Sequence, residues 1–291
     1  MVCFSRVFEA RFVVDKDKAA KIARRLYDQF YGGTGFFEGY RMPEYILPRN
    51  LVQGSKEHAR YLTFVISIDY MTDAVKLWRN AKETYELYPE RFSPSEILAM
   101  TDRTLMTFVR RLGARYPKPG AQTWKRISRI LVDKYDSDPR MLTPTPLTIS
   151  EVKSKLQAFP YLKGGKLSNF YLRAMGENGL LKMSDFTDLD IPVDIQVARF
   201  TAYTGVLALL SESYEGCVHK NPLRGLIEEV WRNAAKEIGT YPWKLDEPMW
   251  TVGSKLCSKR SCDKCPVEDL CDRSKGVRFK GDVLLWERGS G

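Results

Sequence analysis

From about Glu57 onward, apolar residues recur at three- and four-residue spacings, the pattern of helices that each bury one face. Ahead of that point the period is different. Phe8, Ala10, Phe12 and Val14 alternate with Glu9 and Arg11, which predicts one short strand. Asp15 then caps a predicted helix with Ala19, Ile22, Leu26 and Phe30 on its apolar face and Gly32-Gly33 as its stop. Residues 34–55 are rich in aromatics and proline without a period and read as irregular. Tyr61–Met71 is apolar nearly all round, which predicts a helix buried at the centre of a helical domain.

Ser93-Pro-Ser-Glu96 and Thr148-Ile-Ser-Glu151 both have the spacing of a capping box. Between them lie a predicted helix through Leu105, Phe108 and Val109, ending at Gly113, and another carrying Trp124, Ile127, Ile130 and Leu131. The second box opens a helix through Val152, Leu156 and Phe159. Phe159-Pro-Tyr-Leu-Lys-Gly-Gly-Lys166 is a tight turn into a helix with Phe170, Tyr171 and Ala174. Ile191-Pro-Val-Asp194 leads into a helix from Ile195, Asn221-Pro222 opens another, and Asp246 starts the last. With about ten helices, one strand and no internal repeat, the expected fold is all-α.

A chain of 291 residues with 44% hydrophobic and 28% charged content has the composition of a globular protein of one or two domains. No apolar run approaches the ~20 residues of a membrane span, and the N-terminus has no secretory pattern. Cys3 and Cys217 are isolated in sequence, so no disulfide framework is expected, and a reducing cytoplasmic compartment fits. The formal net charge of +10 favours polyanions, nucleic acid above all. Between Gly253 and Gly281 eight Lys/Arg face four Asp/Glu, so the excess concentrates around one loop.

That loop holds Cys257, Cys262, Cys265 and Cys271, four of the six cysteines, with four, two and five residues between neighbours. Soft thiolates select zinc, Cu(I) or an iron–sulfur cluster. Structural zinc sites usually draw on two tight pairs across a longer finger, whereas one C-x-x-C flanked closely on both sides suits a [4Fe–4S] cubane. Zinc stays open at this point. The Leu162–Lys166 turn offers backbone N–H groups at a helix start, with Lys163 and Lys166 beside them, a setting for a phosphate. An ordinary helical hairpin with surface lysines would have the same residues. Asp194, where an extended Pro-Val segment meets a helix, is a good N-cap. It is also a carboxylate held ionised by the helix dipole, able to stabilise positive charge on a sugar.

These residues together resemble a known family. Trp250-Thr-Val-Gly-Ser-Lys-Leu-Cys257, continuing through Cys262, Cys265 and Val267-Glu-Asp-Leu-Cys271, is similar to the iron–sulfur loop of endonuclease III, in the helix-hairpin-helix DNA glycosylase superfamily. Ile191-Pro-Val-Asp194 resembles the segment with that family's catalytic aspartate. Gly164-Gly-Lys166-Leu-Ser-Asn169 resembles the hairpin and its catalytic lysine. Phe64–Asp73 resembles the helix whose end wedges into the duplex, with Tyr70 at the wedge. The resemblance covers about residues 60–200 and 246–271. Three departures stand out: the four-residue first cysteine gap is short, Leu162 or Lys163 replaces the hairpin's first glycine, and Lys166 and Asp194 are 28 positions apart. The longer connector and the Gly-Gly-Lys-type hairpin resemble those of the archaeal 8-oxoguanine glycosylases. A one-residue shift would put Leu167 at the lysine position and imply no lyase activity.

The resemblance implies two helical domains with a catalytic cleft between them. One is a helical barrel with the hairpin over residues 59–193. The other is 1–58 plus 194–291, with a [4Fe–4S] loop at 253–275. It implies a monomer acting on double-stranded DNA that contains a damaged base, in the cytoplasmic nucleoid or a nucleus, without a membrane. Lys166 would be the nucleophile, Asp194 the carboxylate, and Cys257, Cys262, Cys265 and Cys271 the cluster ligands. Lys163, Gly164, Gly165, Tyr70, Lys259 and Arg260 would contact DNA. The chemistry would be excision of a damaged, oxidised base through a Schiff base, with strand nicking. The rivals are a monofunctional glycosylase on deaminated or mismatched bases and a non-catalytic iron–sulfur DNA-binding protein.

Overall fold

The computed structural model describes residues 12–288. Eleven α-helices and five short strands occur among the described residues, so the all-α expectation holds with small strands added. The chain divides into two compact units. One is Arg41–Phe186; the other joins the described residues up to Tyr40 to those from Thr187 onward.

The second unit opens with β1 (Phe12–Val14), the part of the predicted first strand that is described; Phe8 and Ala10 lie outside the described residues. Then comes α1 (Lys16–Gly32), capped by Asp15 and closed at Gly33, whose left-handed φ of 62° suits a residue without a Cβ.

The Arg41–Phe186 unit contains α2 (Lys56–Ile66), α3 (Ala74–Leu87), α4 (Pro94–Ala99), α5 (Asp102–Leu112), α6 (Pro117–Lys134), α7 (Ile149–Leu156) and α8 (Gly165–Glu177). Helix α2 is its centre, with eight of eleven residues buried. Trp124 of α6 packs its ring on Phe64 and donates its indole N–H to the Phe64 carbonyl at 2.9 Å. The predicted run to Met71 stops early, at Ile66. Ser67 turns its hydroxyl back onto the Phe64 carbonyl at 2.7 Å, and Met71 takes a left-handed φ of 52°.

The Thr148–Glu151 capping box forms in full. The Ser93–Glu96 box does not: the Ser93 hydroxyl pairs with Ser95 at 3.0 Å and makes no cap bond. Residues 41–58, expected to belong with the other domain, fall in this unit, and residues 187–193, expected here, fall in the other. The Arg173 guanidinium of α8, buried, meets the buried Glu44 carboxylate at 2.6 Å, and Tyr45 bonds Glu177.

The other unit resumes with α9 (Ile195–Thr204), β2 (Leu207–Leu209), β3 (Ser213–Cys217), α10 (Leu223–Glu237), α11 (Asp246–Lys255), β4 (Val277–Lys280) and β5 (Val283–Glu287). β1 pairs antiparallel with β2, and β3, β5 and β4 form an antiparallel sheet in that order. Its core gathers Ile22 and Leu26 of α1, Val197 and Phe200 of α9, Val230 and Trp231 of α10, and Met249 and Val252 of α11. Cys217, read from the sequence as an isolated thiol, is disulfide-bonded, and its partner is not among the described residues.

Candidate functional site

The hairpin is α7, a turn and α8. Leu156, Phe159 and Leu162 are fully buried and fasten the turn to the unit, leaving Lys163 and Gly164 exposed at its tip. The reversal uses a residue the sequence reading passed over. Tyr161, after Pro160, takes the left-handed φ of 64°, while Gly164 has φ −76° and serves as N-cap of α8. Gly165 and Lys166 begin the helix. A glycine cap supplies no side chain, and α8 starts without a side-chain cap hydrogen bond. Its first-turn amides therefore point from the end of a helix whose dipole favours an anion.

Lys166 is half-buried in that first turn, whereas Leu167 is buried among the apolar residues of α8. The one-residue shift would thus put a core leucine at the reactive position. Tyr70 lies in the bend after α2, not on the helix itself. Its ring centroid is 5.9 Å from that of Tyr161, so the expected wedge and the hairpin turn are neighbours in one unit.

Asp194 belongs to the other unit. It is buried, and as N-cap of α9 its Oδ1 accepts from the amides of Gln196 at 2.7 Å and Val197 at 3.0 Å. Its Oδ2 accepts from the indole N–H of Trp250 at 3.2 Å. Trp250 is a residue that sequence reasoning quoted only as the start of the cysteine run; its role depends on a contact across 56 positions. The approach of α11 that brings it there needs Gly253, since a Cβ at that position would collide with the backbone carbonyl of Gln196.

The four cysteines follow α11 in the same unit, all as free thiols, and line one cavity of about 220 Å³ with Tyr203, Arg260 and Arg273. The loop is better anchored than its polar sequence suggests. Val267 is fully buried in the core, Lys18 pairs with Asp272 at 2.6 Å, and Arg25 of α1 pairs with Asp269. Burial, and then the neighbouring cysteines, push the Cys257 thiol up to about 12 and Cys265 to about 11; Cys271 is raised as well, by burial first. Four thiolates persist together in such a place only against a cationic partner. No three His, Cys, Asp or Glu residues among the described residues converge on a single-ion site. Lys259 is exposed. Arg260, in a left-handed turn, lays its guanidinium 5.2 Å over the Tyr203 ring beside the cavity.

The chain order of these parts defines the class: a helical hairpin with a lysine at the head of its second helix, an aspartate-capped helix, then a four-cysteine loop, all on an α-helical scaffold. It is that of the helix-hairpin-helix DNA glycosylases of base excision repair. Residues 125–278, just over half of the chain, match the family described as AGOG, N-glycosylase/DNA lyase, and the chain belongs to that family.

Solved structures share the fold. A trapped endonuclease III–DNA covalent intermediate aligns with 90% of this chain and 97% of its own, at 16% identity and a TM-score of 0.58. A non-covalent endonuclease III–DNA complex aligns over the same shares, at 15% identity and a TM-score of 0.57. A thermostable thymine-DNA glycosylase aligns over 88% of this chain and 96% of its own, at 12% identity and a TM-score of 0.54. No curated protein matches the chain. No helix among the described residues is long and apolar enough to cross a membrane.

Proposed function

We propose that this glycosylase is bifunctional: it excises an oxidised base from duplex DNA and then nicks the strand at the same site. The observation that carries the reading is Lys166 in the uncapped first turn of α8, with the alternative Leu167 packed into the core. The lysine amine would attack the sugar C1′, the C1′–N bond to the base would break, and the base would leave with the bonding electrons and take up a proton. The attached nitrogen loses its extra proton, and the C1′–O4′ bond opens with O4′ taking up a proton. The iminium so formed lets a C2′ proton be removed and the 3′ phosphate leave with the C3′–O electrons. A carboxylate at Asp194, held in place by two amides and an indole N–H, suits stabilisation of the cationic sugar. The DNA partner is supported by the basic loop and by the complexes that share the fold, and the hairpin tip with Lys163, Gly164 and Gly165 offers phosphate contacts. The base would have to leave the stack to be reached. An oxidised base is favoured by the Gly-Gly-Lys166 hairpin and the long Lys166–Asp194 connector, which resemble those of the archaeal 8-oxoguanine glycosylases.

The test is borohydride trapping of the monomeric protein on a panel of duplexes carrying oxidised, deaminated and mismatched bases. A covalent adduct and a nick on an oxidised-base duplex are expected. Excision without adduct would favour a monofunctional enzyme, and binding without excision a non-catalytic one.

The donor set in the loop fits an iron–sulfur cluster better than zinc, because four thiols line a cavity of about 220 Å³ instead of closing on one point. A zinc ion needs its sulfurs about 2.3 Å away. Cys257, Cys262, Cys265 and Cys271 would hold a [4Fe–4S] group whose contribution is to rivet the loop. The purified protein should absorb broadly near ~400 nm, and Cys262→Ser should lose that band and most soluble protein. Colourless protein with stoichiometric zinc would overturn the assignment.

A further inference from the structure

His219 lies outside every motif the sequence singles out, yet it touches the backbone that presents Asp194. Ile191 and Val193 are fully buried and belong to no helix or strand, so their carbonyls depend on donors from elsewhere. His219 Nδ1 stands 3.4 Å from the carbonyl oxygen of Val193, the residue immediately before Asp194. The other ring nitrogen, Nε2, is 3.2 Å from Asp282 Oδ2. Asp282 is itself fixed. It sits in the β4–β5 turn after Gly281, whose φ is 58°, and its carbonyl accepts from the Val218 amide at 3.0 Å.

A carbonyl can only accept, so the Val193 contact is a hydrogen bond when Nδ1 carries the ring hydrogen. The imidazole is thereby clamped between a hairpin turn and an otherwise irregular segment.

We infer that His219 is a positioning residue: through the Val193 carbonyl it fixes the register of the Ile191–Val193 segment and hence the placement of the Asp194 carboxylate. The inference rests on the proposed role of Asp194. His219 does not touch the reacting atoms; it acts on them through one peptide unit.

The two ring nitrogens allow a test that separates positioning from mere anchoring of the hairpin. Asparagine places its amide N–H where Nδ1 stood, and glutamine reaches instead toward the Nε2 position. Single-turnover excision, duplex affinity and thermal unfolding are measured for the wild type and for His219→Asn, His219→Gln and His219→Ala. The Asn variant should retain a rate within about threefold of wild type, while Gln and Ala should lose roughly tenfold or more at unchanged duplex affinity, because small misplacements of a reacting group are costly.

Rescue by Gln and not Asn would show that the Asp282 contact matters and the Val193 contact does not, which overturns the inference. So would an Ala variant as fast as wild type, or rates that merely follow lowered unfolding temperatures. If the wild type itself excises nothing from any duplex on the panel, the proposed function falls and this inference with it. An active wild type matched by His219→Ala removes this inference alone.

Discussion

Helices α8 and α9 both begin at a residue assigned to chemistry, and their N-termini are finished in opposite ways. Gly164 caps α8 without a side chain, and the first turn presents its amides and Lys166. Asp194 caps α9 with both oxygens engaged, Oδ1 by two amides and Oδ2 by Trp250. The same backbone dipole acts in both places. At α8 no side chain meets it; at α9 it meets a carboxylate that the fold itself supplies. An open end and a closed end thus come from identical backbone chemistry, distinguished by the cap residue.

The largest effect expected from this contrast is at Lys166. Lys166→Gln should abolish base excision and borohydride trapping while duplex binding persists, because the α8 amides and the basic cysteine loop are untouched. If excision continued without nicking, Lys166 would be a phosphate contact, and Asp194 would be activating water.

Asp194→Asn comes next. The amide keeps an oxygen for the N-cap, so stability should fall by at most about 1 kcal/mol. The charge is gone, and single-turnover excision should drop roughly 10²-fold or more. A variant that excises normally would leave Asp194 as a cap and nothing else, and the two helix ends would then differ in structure only.

How far this contrast could be read before the structure depends on contact range. Asp194 as a cap, Thr148–Glu151 as a capping box, and the stops at Gly33 and Gly113 are local events. Neighbours in sequence decide them, and each was legible. The Ser93 box was not, because a second hydroxyl two residues on competes for the cap. The strands β2 to β5 were missed for another reason. Each has only three to five residues, and β3 finds its partner β5 about seventy positions away, so their patterns carry too few periods to register. The place of the hairpin turn is legible from Pro160 and Gly164-Gly165, but its left-handed residue, Tyr161, is not, because nothing in its side chain favours that conformation. Trp250, His219 and the boundary at Arg41 all hinge on contacts between distant segments, which no window of sequence contains.

Trp250 gives the smallest and most discriminating effect. Its indole N–H is the donor at Asp194 Oδ2, while Oδ1 keeps both amides. Trp250→Phe retains most of the ring's packing against the α9–α11 core and removes only that donor. A hydrogen bond to a charged group contributes about 1.5–3 kcal/mol when its loss leaves the charge dry. Trp250 is half-exposed, so water can substitute and the low end applies. Excision should therefore slow by about tenfold, less than for Asp194→Asn, with thermal unfolding lowered by only a few degrees. The decisive measurement is the double variant. If Trp250 acts through the carboxylate, Trp250→Phe should add nothing in an Asp194→Asn background, since the charge it supports is already absent. Additive losses would place Trp250 in separate contact with the DNA, and the closed end of α9 would then be held by its amides alone.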